Sequence, residues 1–209
     1  MRTLLAIPII HTEQDMGTLL AQIKRAYVAR FGQDQWRAHV KSIDDVWSGI
    51  RQLLTLLELP HASVRLYQDG LPVCGKELEI VRDVAAQGSI NHQLLMELMA
   101  KGAKLEGTED PGLLLQEYRF HQGQLRNSLP AQEAQRAELS QKLLLERDTF
   151  IAKRINSTLL VGEIGLLFLG LAHSIDAFLE ADILVRPLLP SLREKHNASR
   201  KMALNTPVN

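Results

Sequence analysis

The sequence predicts an α/β fold with a small, mostly parallel central sheet and abundant flanking helices. Short apolar runs of strand length occur near the N-terminus, in the middle and in the last quarter of the 209-residue chain. Long segments with the apolar spacing of helices separate these runs. Strands that alternate with helices in this way are typical of parallel sheets.

The N-terminal apolar run predicts the first strand, at Leu4–Ile10. Pro8 cannot donate a hydrogen bond to a neighbouring strand, so we expect this strand to lie at an edge of the sheet or to bend there. A polar loop follows at once and carries an imidazole and two carboxylates, from His11, Glu13 and Asp15. This loop is the first candidate site segment.

Two helices are expected next, the first over 18–31 and the second with an apolar stripe that runs from Trp36 to Leu57. Asp34 has a side chain suited to the N-cap of the second helix. Both tryptophans of the chain lie on this stripe. Their position indicates a buried core or an interface rather than a ligand-binding platform.

A second strand is predicted at 62–67, where apolar and polar residues alternate. Asp69 comes just after it, in a segment where Gly70 and Pro72 indicate a turn. The carboxylate of Asp69 is therefore expected at the end of a strand, either as a site residue or only as a turn former.

The next helices are predicted at 76–86 and in the segment after Ser89, which suits an N-cap. His92 falls in the first turn of the second of these helices. An imidazole there suits an anion or a metal, but histidines in the first turn of a helix are common on solvated surfaces. A short strand is expected at 103–105.

Glu109 and Asp110 precede Pro111, which suits the first position of a helix over 112–121. Asp110 is expected to cap that helix, and Glu109 is a further candidate site residue. The polar residues that follow, 122–129, are predicted to form a loop.

A long helix is expected over 130–157, and the charges around Arg147 are typical of a solvated helix face. The most apolar strand is predicted at 165–170, with a length that suits burial on both faces. His173 follows it closely, at the position where ligands bind in open parallel sheets. A further helix is expected after Asp176.

We expect a single α/β domain over 1–190 and a polar, flexible tail over 191–209. Lys and Arg number 24, as do Asp and Glu, so no net charge favours a nucleic acid or a membrane surface as a partner. Cys74 is the single cysteine, which excludes an internal disulfide. Without a signal peptide or a run long enough to span a membrane, the expected location is cytoplasmic.

The strand-end residues indicate a common site. Strands of a parallel sheet end at one edge, so His11, His173 and Asp69 are expected to converge there. Imidazoles and carboxylates suit a divalent transition metal, whose identity the sequence leaves open, and such a metal activates water for hydrolysis. Without a metal, the same groups suit general acid–base catalysis. The structural alternative is that each histidine only hydrogen-bonds the backbone at a strand end.

Two segments carry a resemblance to a known family. One is Glu146-Arg-Asp-Thr-Phe-Ile-Ala-Lys-Arg-Ile155 followed by Gly165-Leu-Leu-Phe-Leu-Gly-Leu-Ala-His173, and the other is Pro8-Ile-Ile-His11. Together they resemble the TraB/ChaN/erythromycin-esterase-like (Tiki) superfamily, which has an Arg-Asp helix and two strands that end in Gly-x-x-His. Proline replaces the first of these glycines here, and Asp69 stands where the family has a glutamate. The resemblance implies an α/β fold with a pocket lined by histidines and carboxylates, and either metal-assisted hydrolysis or ligand binding.

The leading hypothesis is therefore a metal-assisted hydrolase that acts on a small-molecule or peptide substrate. The rival is a non-catalytic ligand-binding or sensory module that uses the same crevice and forms a homodimer or a partner interface through the tryptophan-bearing helix. The candidate catalytic residues are His11, His173, Asp69 and Arg147, where Arg147 is an electrostatic partner for the substrate or for an acid of the site. The candidate metal ligands are His11, His173, Asp69 and Glu13, with Asp15, His92 and Glu109 as further candidates.

Overall fold

The computed structural model of the chain describes residues 1–10, 20–126 and 133–190. Within these ranges five strands form one all-parallel sheet and six α-helices accompany it, so the predicted α/β class is confirmed. The strand order across the sheet is β3-β2-β4-β1-β5. The strands are β1 (Arg2–Ile9), β2 (Val64–Gln68), β3 (Lys104–Glu106), β4 (Ile164–Gly170) and β5 (Ile183–Pro187). The helices are α1 (Leu20–Phe31), α2 (Gln33–Leu56), α3 (Glu77–Ala86), α4 (Ile90–Ala100), α5 (Pro111–Arg126) and α6 (Glu133–Thr158).

The middle strand, β4, is the apolar run that the sequence singles out. β4 has two strands on either side of it in the sheet. A strand in this position is covered by helices or loops on both faces, which favours apolar residues throughout its length. On one face, Leu167 joins Leu4 of β1 and Ile183 of β5 in a buried cluster with Ile151 and Ile155 of α6. This face of the sheet is the one that carries the candidate site.

One of the two alternatives for β1 is excluded, and the segment after β4 differs from the expectation. β1 does not lie at an edge, because β4 and β5 flank it. Its first residues pair with β5, from Arg2 opposite Ile183 to Ala6 opposite Pro187. Pro8 lies beyond the segment paired with β5, so its missing N–H breaks none of those hydrogen bonds. The segment after Asp176, where a helix was expected, holds one short helical turn and then β5.

The chain divides into two compact units. The first comprises Met1–Pro8, Arg65–Glu77 and the described residues from Leu105 onward, and the second comprises the described residues of Ile9–Val64 and Leu78–Lys104. In the second unit both tryptophans are buried, with Trp36 at 3% and Trp47 at 1% exposure. The Trp47 indole N–H donates to the carbonyl of Ile10 at 3.1 Å. Both tryptophans therefore belong to the core of the chain.

Helix ends follow local chemistry that the sequence predicts in part. Ser89 caps α4 as expected, and Asp110 Oδ1 accepts the Leu113 N–H at 2.9 Å in the first turn of α5. Asp34 does not cap α2, because the residue before the helix is Gly32, with φ of 88° and no side-chain cap. α5 also continues through 122–126, where a loop was expected.

Among the described residues, none of the helices has the length and apolar character needed to cross a membrane.

Candidate active site

Three strands of the first unit bring side chains to one edge of the sheet. Asp69 comes directly after β2, Glu109 three residues after β3, and His173 three residues after β4. Because the strands are parallel, their carboxyl ends meet at this edge. The Val73 N–H donates to the Glu109 carbonyl at 2.8 Å, which joins the loop after β3 to the loop after β2. The side chains of Asp69 and Glu109 are thereby held next to each other.

The helix α6 adds two charged residues from its buried face. Arg147 and Asp148 are 5% and 4% exposed, and they continue the buried positions of Ile151 and Ile155 one turn toward the N-terminus of the helix. The two side chains point to different partners. Arg147 contacts the carboxylates beyond β2 and β3, and Asp148 contacts His173 beyond β4.

Arg147 is the centre of the ion pairs. Its Nε and Nη2 donate to the two oxygens of Glu109 at 2.7 and 2.5 Å. Nη2 also donates to Asp69 Oδ1 at 2.7 Å, and Nη1 donates to Glu117 Oε1 at 2.6 Å. The planar guanidinium suits this two-point contact with a carboxylate. Arg147 therefore orients Asp69 and Glu109 with all three of its nitrogen atoms engaged.

His173 is held on both sides by carboxylates. Its Nδ1 lies 2.5 Å from Asp148 Oδ1, and the other oxygen of Asp148 accepts the Ser174 N–H at 2.9 Å. Its Nε2 lies 3.5 Å from Asp69 Oδ2. Asp148 is thus anchored by the backbone and sets the orientation of the ring, while Nε2 faces Asp69. We call Asp69, Glu109, Glu117, Arg147, Asp148 and His173 the His173 cluster.

The last residue of β4, Gly170, is needed for this arrangement. Its N–H donates to Asp69 Oδ2 at 2.9 Å. A Cβ at this position would lie only 2.8 Å from the same oxygen. The absence of a side chain therefore lets the main chain of β4 approach and hold the carboxylate of Asp69.

The charges in the His173 cluster shift three pKa values. Burial acts to lower the pKa of His173, but the hydrogen bond to Asp148 and the charge of Asp69 outweigh it, and the pKa is raised. Burial acts to raise the pKa of Asp69, but the charge of His173, the hydrogen bond with Glu109 and the charge of Arg147 lower it. Burial, together with the neighbouring Asp69, raises the pKa of Glu109 in spite of Arg147. The surroundings therefore shift His173 toward its protonated form and Asp69 toward its ionised form, while they shift Glu109 toward its protonated form.

Donor atoms of Asp69, Glu109 and His173 lie within 4.8 Å of one another, the spacing of a candidate metal site. The 3.5 Å between Asp69 Oδ2 and His173 Nε2 fits two ligands of one tetrahedral zinc ion, whose ligand atoms lie about 3.4 Å apart. Glu109 fits less well, because both of its oxygens accept hydrogen bonds from Arg147. Asp69 and His173 are thus suitable ligands, and Glu109 is a third candidate whose carboxylate Arg147 already holds.

An apolar cavity of about 40 Å³ lies beside His173. Side chains at the carboxyl ends of β1, β4 and β5 line it, and the segment after β4 contributes Leu171 and Ile175. His173 is a member of both this lining and the His173 cluster. The ring therefore separates a charged region on the β2 and β3 side from an apolar region on the β1 and β5 side.

The structure brings together four of the residues that the sequence identifies: Asp69, Glu109, Arg147 and His173. His92 belongs to the second unit, where its Nδ1 lies 2.8 Å from the Ser89 hydroxyl. His11, Glu13 and Asp15 lie outside the described residues, so the expected approach of His11 to His173 stays a prediction.

Sequence reasoning missed Asp148 and Glu117, and the expectation of a solvated face at Arg147 is wrong. A signal for burial was present in the sequence. Arg147 lies four residues after Leu143 and four before Ile151, at the spacing of the apolar stripe of α6.

Comparison of the chain with known protein families, with curated proteins and with solved structures finds no match. The resemblance to the TraB/ChaN/erythromycin-esterase-like superfamily therefore stays a prediction from its short motifs, and the His173 cluster is interpreted from its own chemistry.

Proposed function

We propose that this chain is a hydrolase whose active site is the His173 cluster. One observation carries the proposal: a buried histidine is fixed by Asp148 at Nδ1 and faces a second carboxylate and an apolar cavity with the rest of its ring. A carboxylate that orients an imidazole beside a cavity, with the other ring nitrogen facing a second carboxylate, suits an acid–base catalyst.

In the proposed reaction His173 acts as the general acid and Asp69 as the general base. Nε2 gives its proton to the leaving atom as the bond between that atom and the electrophilic centre breaks. The oxygen of a water molecule forms the new bond to that centre, and the water proton passes to Asp69 Oδ2. The proton then returns from Asp69 to Nε2, across the 3.5 Å that separate them. Both residues end in their starting states.

The electrostatics favour this sequence. The charge of His173 is the largest of the influences that lower the pKa of Asp69. When His173 gives up its proton, that influence disappears and Asp69 becomes a stronger base. Loss of the proton from His173 thus makes Asp69 better able to accept a proton.

Arg147 is a positioning residue in this proposal. Its nitrogens are engaged by three carboxylates of the chain, so its role is to fix Asp69 rather than to bind the substrate. A divalent metal ion, if bound by Asp69 and His173, would polarise the scissile group and lower the pKa of bound water. Binding of such an ion requires His173 to lose its proton, so the affinity is expected to rise with pH.

The test is hydrolysis of esters, phosphoesters and peptides by the purified chain, before and after treatment with a chelator and with metal analysis of the same sample. We expect His173→Gln to lower kcat/KM by about 10²- to 10⁴-fold with an unchanged far-UV circular dichroism spectrum. The matched control is His121→Gln, at a histidine of α5 whose side chain is 49% exposed. Equal activity of the two variants would exclude His173 as the catalytic acid.

A second candidate function is ligand binding without turnover. The oxygens of Asp69 and Glu109 already accept hydrogen bonds from Arg147, Gly170 and Gly70. A site whose polar groups are satisfied in this way suits a ligand held mainly by the apolar cavity. Saturable binding near His173 in a chain that hydrolyses none of the three substrate classes would favour this alternative.

A further inference from the structure

The described residues that line the cavity beside His173 are mostly aliphatic. Ala6 of β1, Leu169 of β4 and Val185 of β5 contribute from the carboxyl halves of three adjacent strands. Alternate residues of a strand share a face, so these side chains lie on the face that packs against α6. Among the described residues, the only side chains of the lining that carry polar atoms are those of His173 and Asp176.

The size of the cavity limits its occupant. A single water molecule needs about 10–15 Å³ of such space, so the volume of about 40 Å³ admits a group of about three or four heavy atoms. Water is a poor occupant of the aliphatic part of the cavity, because hydrocarbon walls leave its hydrogen bonds unmade. A short hydrocarbon chain satisfies both the volume and the chemistry of the walls.

The position of the cavity determines how such a chain would lie. β4 is the middle strand, with the His173 cluster beyond its β2 and β3 side and the cavity beyond its β1 and β5 side. His173 borders both regions. A molecule with its hydrocarbon end in the cavity therefore has its polar end next to the His173 ring.

We propose that the substrate carries a short unbranched aliphatic chain, of about three or four carbon atoms, that fills this cavity while the hydrolysable group contacts His173. The substrate class is a short-chain acyl or alkyl compound. This inference rests on the proposed hydrolase function for its reaction, and on the cavity alone for its chain length.

The expected preference follows from burial of methylene groups. Each buried methylene changes affinity by about fourfold, so a butyryl group is expected to exceed an acetyl group by about 15-fold in kcat/KM. An octanoyl group is too long for the cavity and is expected to lose most of this advantage.

The first experiment measures kcat/KM of the full chain for 4-nitrophenyl acetate, butyrate and octanoate. Ala6→Leu places three more carbon atoms in the cavity and is expected to lower the butyrate value at least tenfold while the acetate value changes less than threefold. Ala86→Leu, an equal change at an exposed position of α3, is the matched control. Val185→Phe, on the edge strand β5, is a second filling variant in case Ala6→Leu does not fold. A rate that is independent of chain length, or a butyrate preference that survives both filling variants, would overturn the inference.

The second experiment separates the cavity from the reaction. Butyramide and acetamide are titrated into the chain while the methyl signals of Leu169 and Val185 and the ring signals of His173 are followed by NMR. Saturable shifts with butyramide support the inference if the affinity for acetamide is at least tenfold weaker and the shifts are lost in Ala6→Leu. This support holds even if the chain hydrolyses no ester. Absence of ester hydrolysis would refute only the proposed function. No saturable shift, or equal affinity for the two amides, would overturn the inference whether or not esters are hydrolysed.

Discussion

Two groups of charged residues in the first unit differ in their balance of charge. The Arg65 cluster comprises Arg65, Glu106, Arg154 and Glu163, near the amino ends of β2 and β4. Its two arginines face two glutamates. The His173 cluster has four carboxyl groups against one arginine and one histidine.

The difference indicates what each group does. Arg65 donates to both Glu106 and Glu163, and Arg154 donates to the Gly107 carbonyl at 3.0 Å, so opposite charges are matched in the Arg65 cluster. Such a set joins strands and loops through paired opposite charges. The His173 cluster has an excess of acid, and its histidine borders a cavity. Buried ionisable groups with shifted pKa values, beside a cavity, are typical of functional sites.

The largest expected effect comes from loss of Arg147. Arg147→Met leaves Asp69 and Glu109 buried without their cation, and removal of one partner from a buried ion pair costs about 3–5 kcal/mol. We expect the free energy of unfolding in urea to fall by about that amount, and hydrolytic activity to be lost. A loss below about 1 kcal/mol would show that the carboxylates of the cluster take up protons or water without cost.

Loss of Arg65 is expected to cost less. Arg65→Met leaves Glu106 and Glu163, whose side chains are 19% and 12% exposed and can regain water. We expect the free energy of unfolding to fall by about 1–3 kcal/mol, with activity per folded molecule unchanged. Urea denaturation and active-site assays of the same preparation measure both quantities. Activity that falls as far as in Arg147→Met would remove the functional distinction between the two clusters.

A smaller effect is expected from Asp148→Asn. Because the pKa of His173 is raised in the folded state, its contribution to stability is complete below about pH 6.5 and is lost as the pH rises through the folded-state value. The neutral amide of the variant cannot stabilise the imidazolium by charge, so we expect a lower pKa of His173 and a loss of about 1–2 kcal/mol at low pH. NMR titration of the ring and urea denaturation between about pH 5 and 9 measure this effect. A variant with the pH dependence of the wild type would contradict the assigned contact.

The smallest effect at neutral pH is expected from Tyr67→Phe, beside the Arg65 cluster. Burial raises the pKa of Tyr67 to about 12, in spite of a hydrogen bond with Thr158. Its contribution to stability is therefore complete below about pH 10 and is lost as the pH rises through about 12. At pH 7 we expect a cost of about 0.5–1.5 kcal/mol. An absorbance titration of the wild type should contain a step near 12 that the variant lacks.

Much of the fold could be predicted because apolar runs and turn residues are local signals. β4 is an uninterrupted apolar run, and Asp69 follows β2 at a turn marked by Gly70. β5 was missed because it is an edge strand of five residues that ends in Arg186 and Pro187, with little apolar contrast to its surroundings. The helical residues 122–126 were missed because their sequence, Gln-Gly-Gln-Leu-Arg, contains a glycine and a single apolar residue.

The candidate site could be predicted only where it depends on strand ends. Asp69 and His173 follow from the rule that parallel strands finish at one edge. The burial of Arg147 and Asp148 depends on partners 25 to 78 positions away in the chain, a dependence that a local run of charges cannot reveal. Long-range pairing of this kind has no signature in the composition of a single segment.

Gly170 has a consequence for spectroscopy. Its N–H donates a hydrogen bond to Asp69 Oδ2. A change in the ionisation of the Asp69 carboxylate therefore changes the chemical shift of the Gly170 amide proton. The Gly170 resonance is therefore an intrinsic reporter of protonation in the resting protein, and it can be read without a substrate, a dye or a label on any side chain.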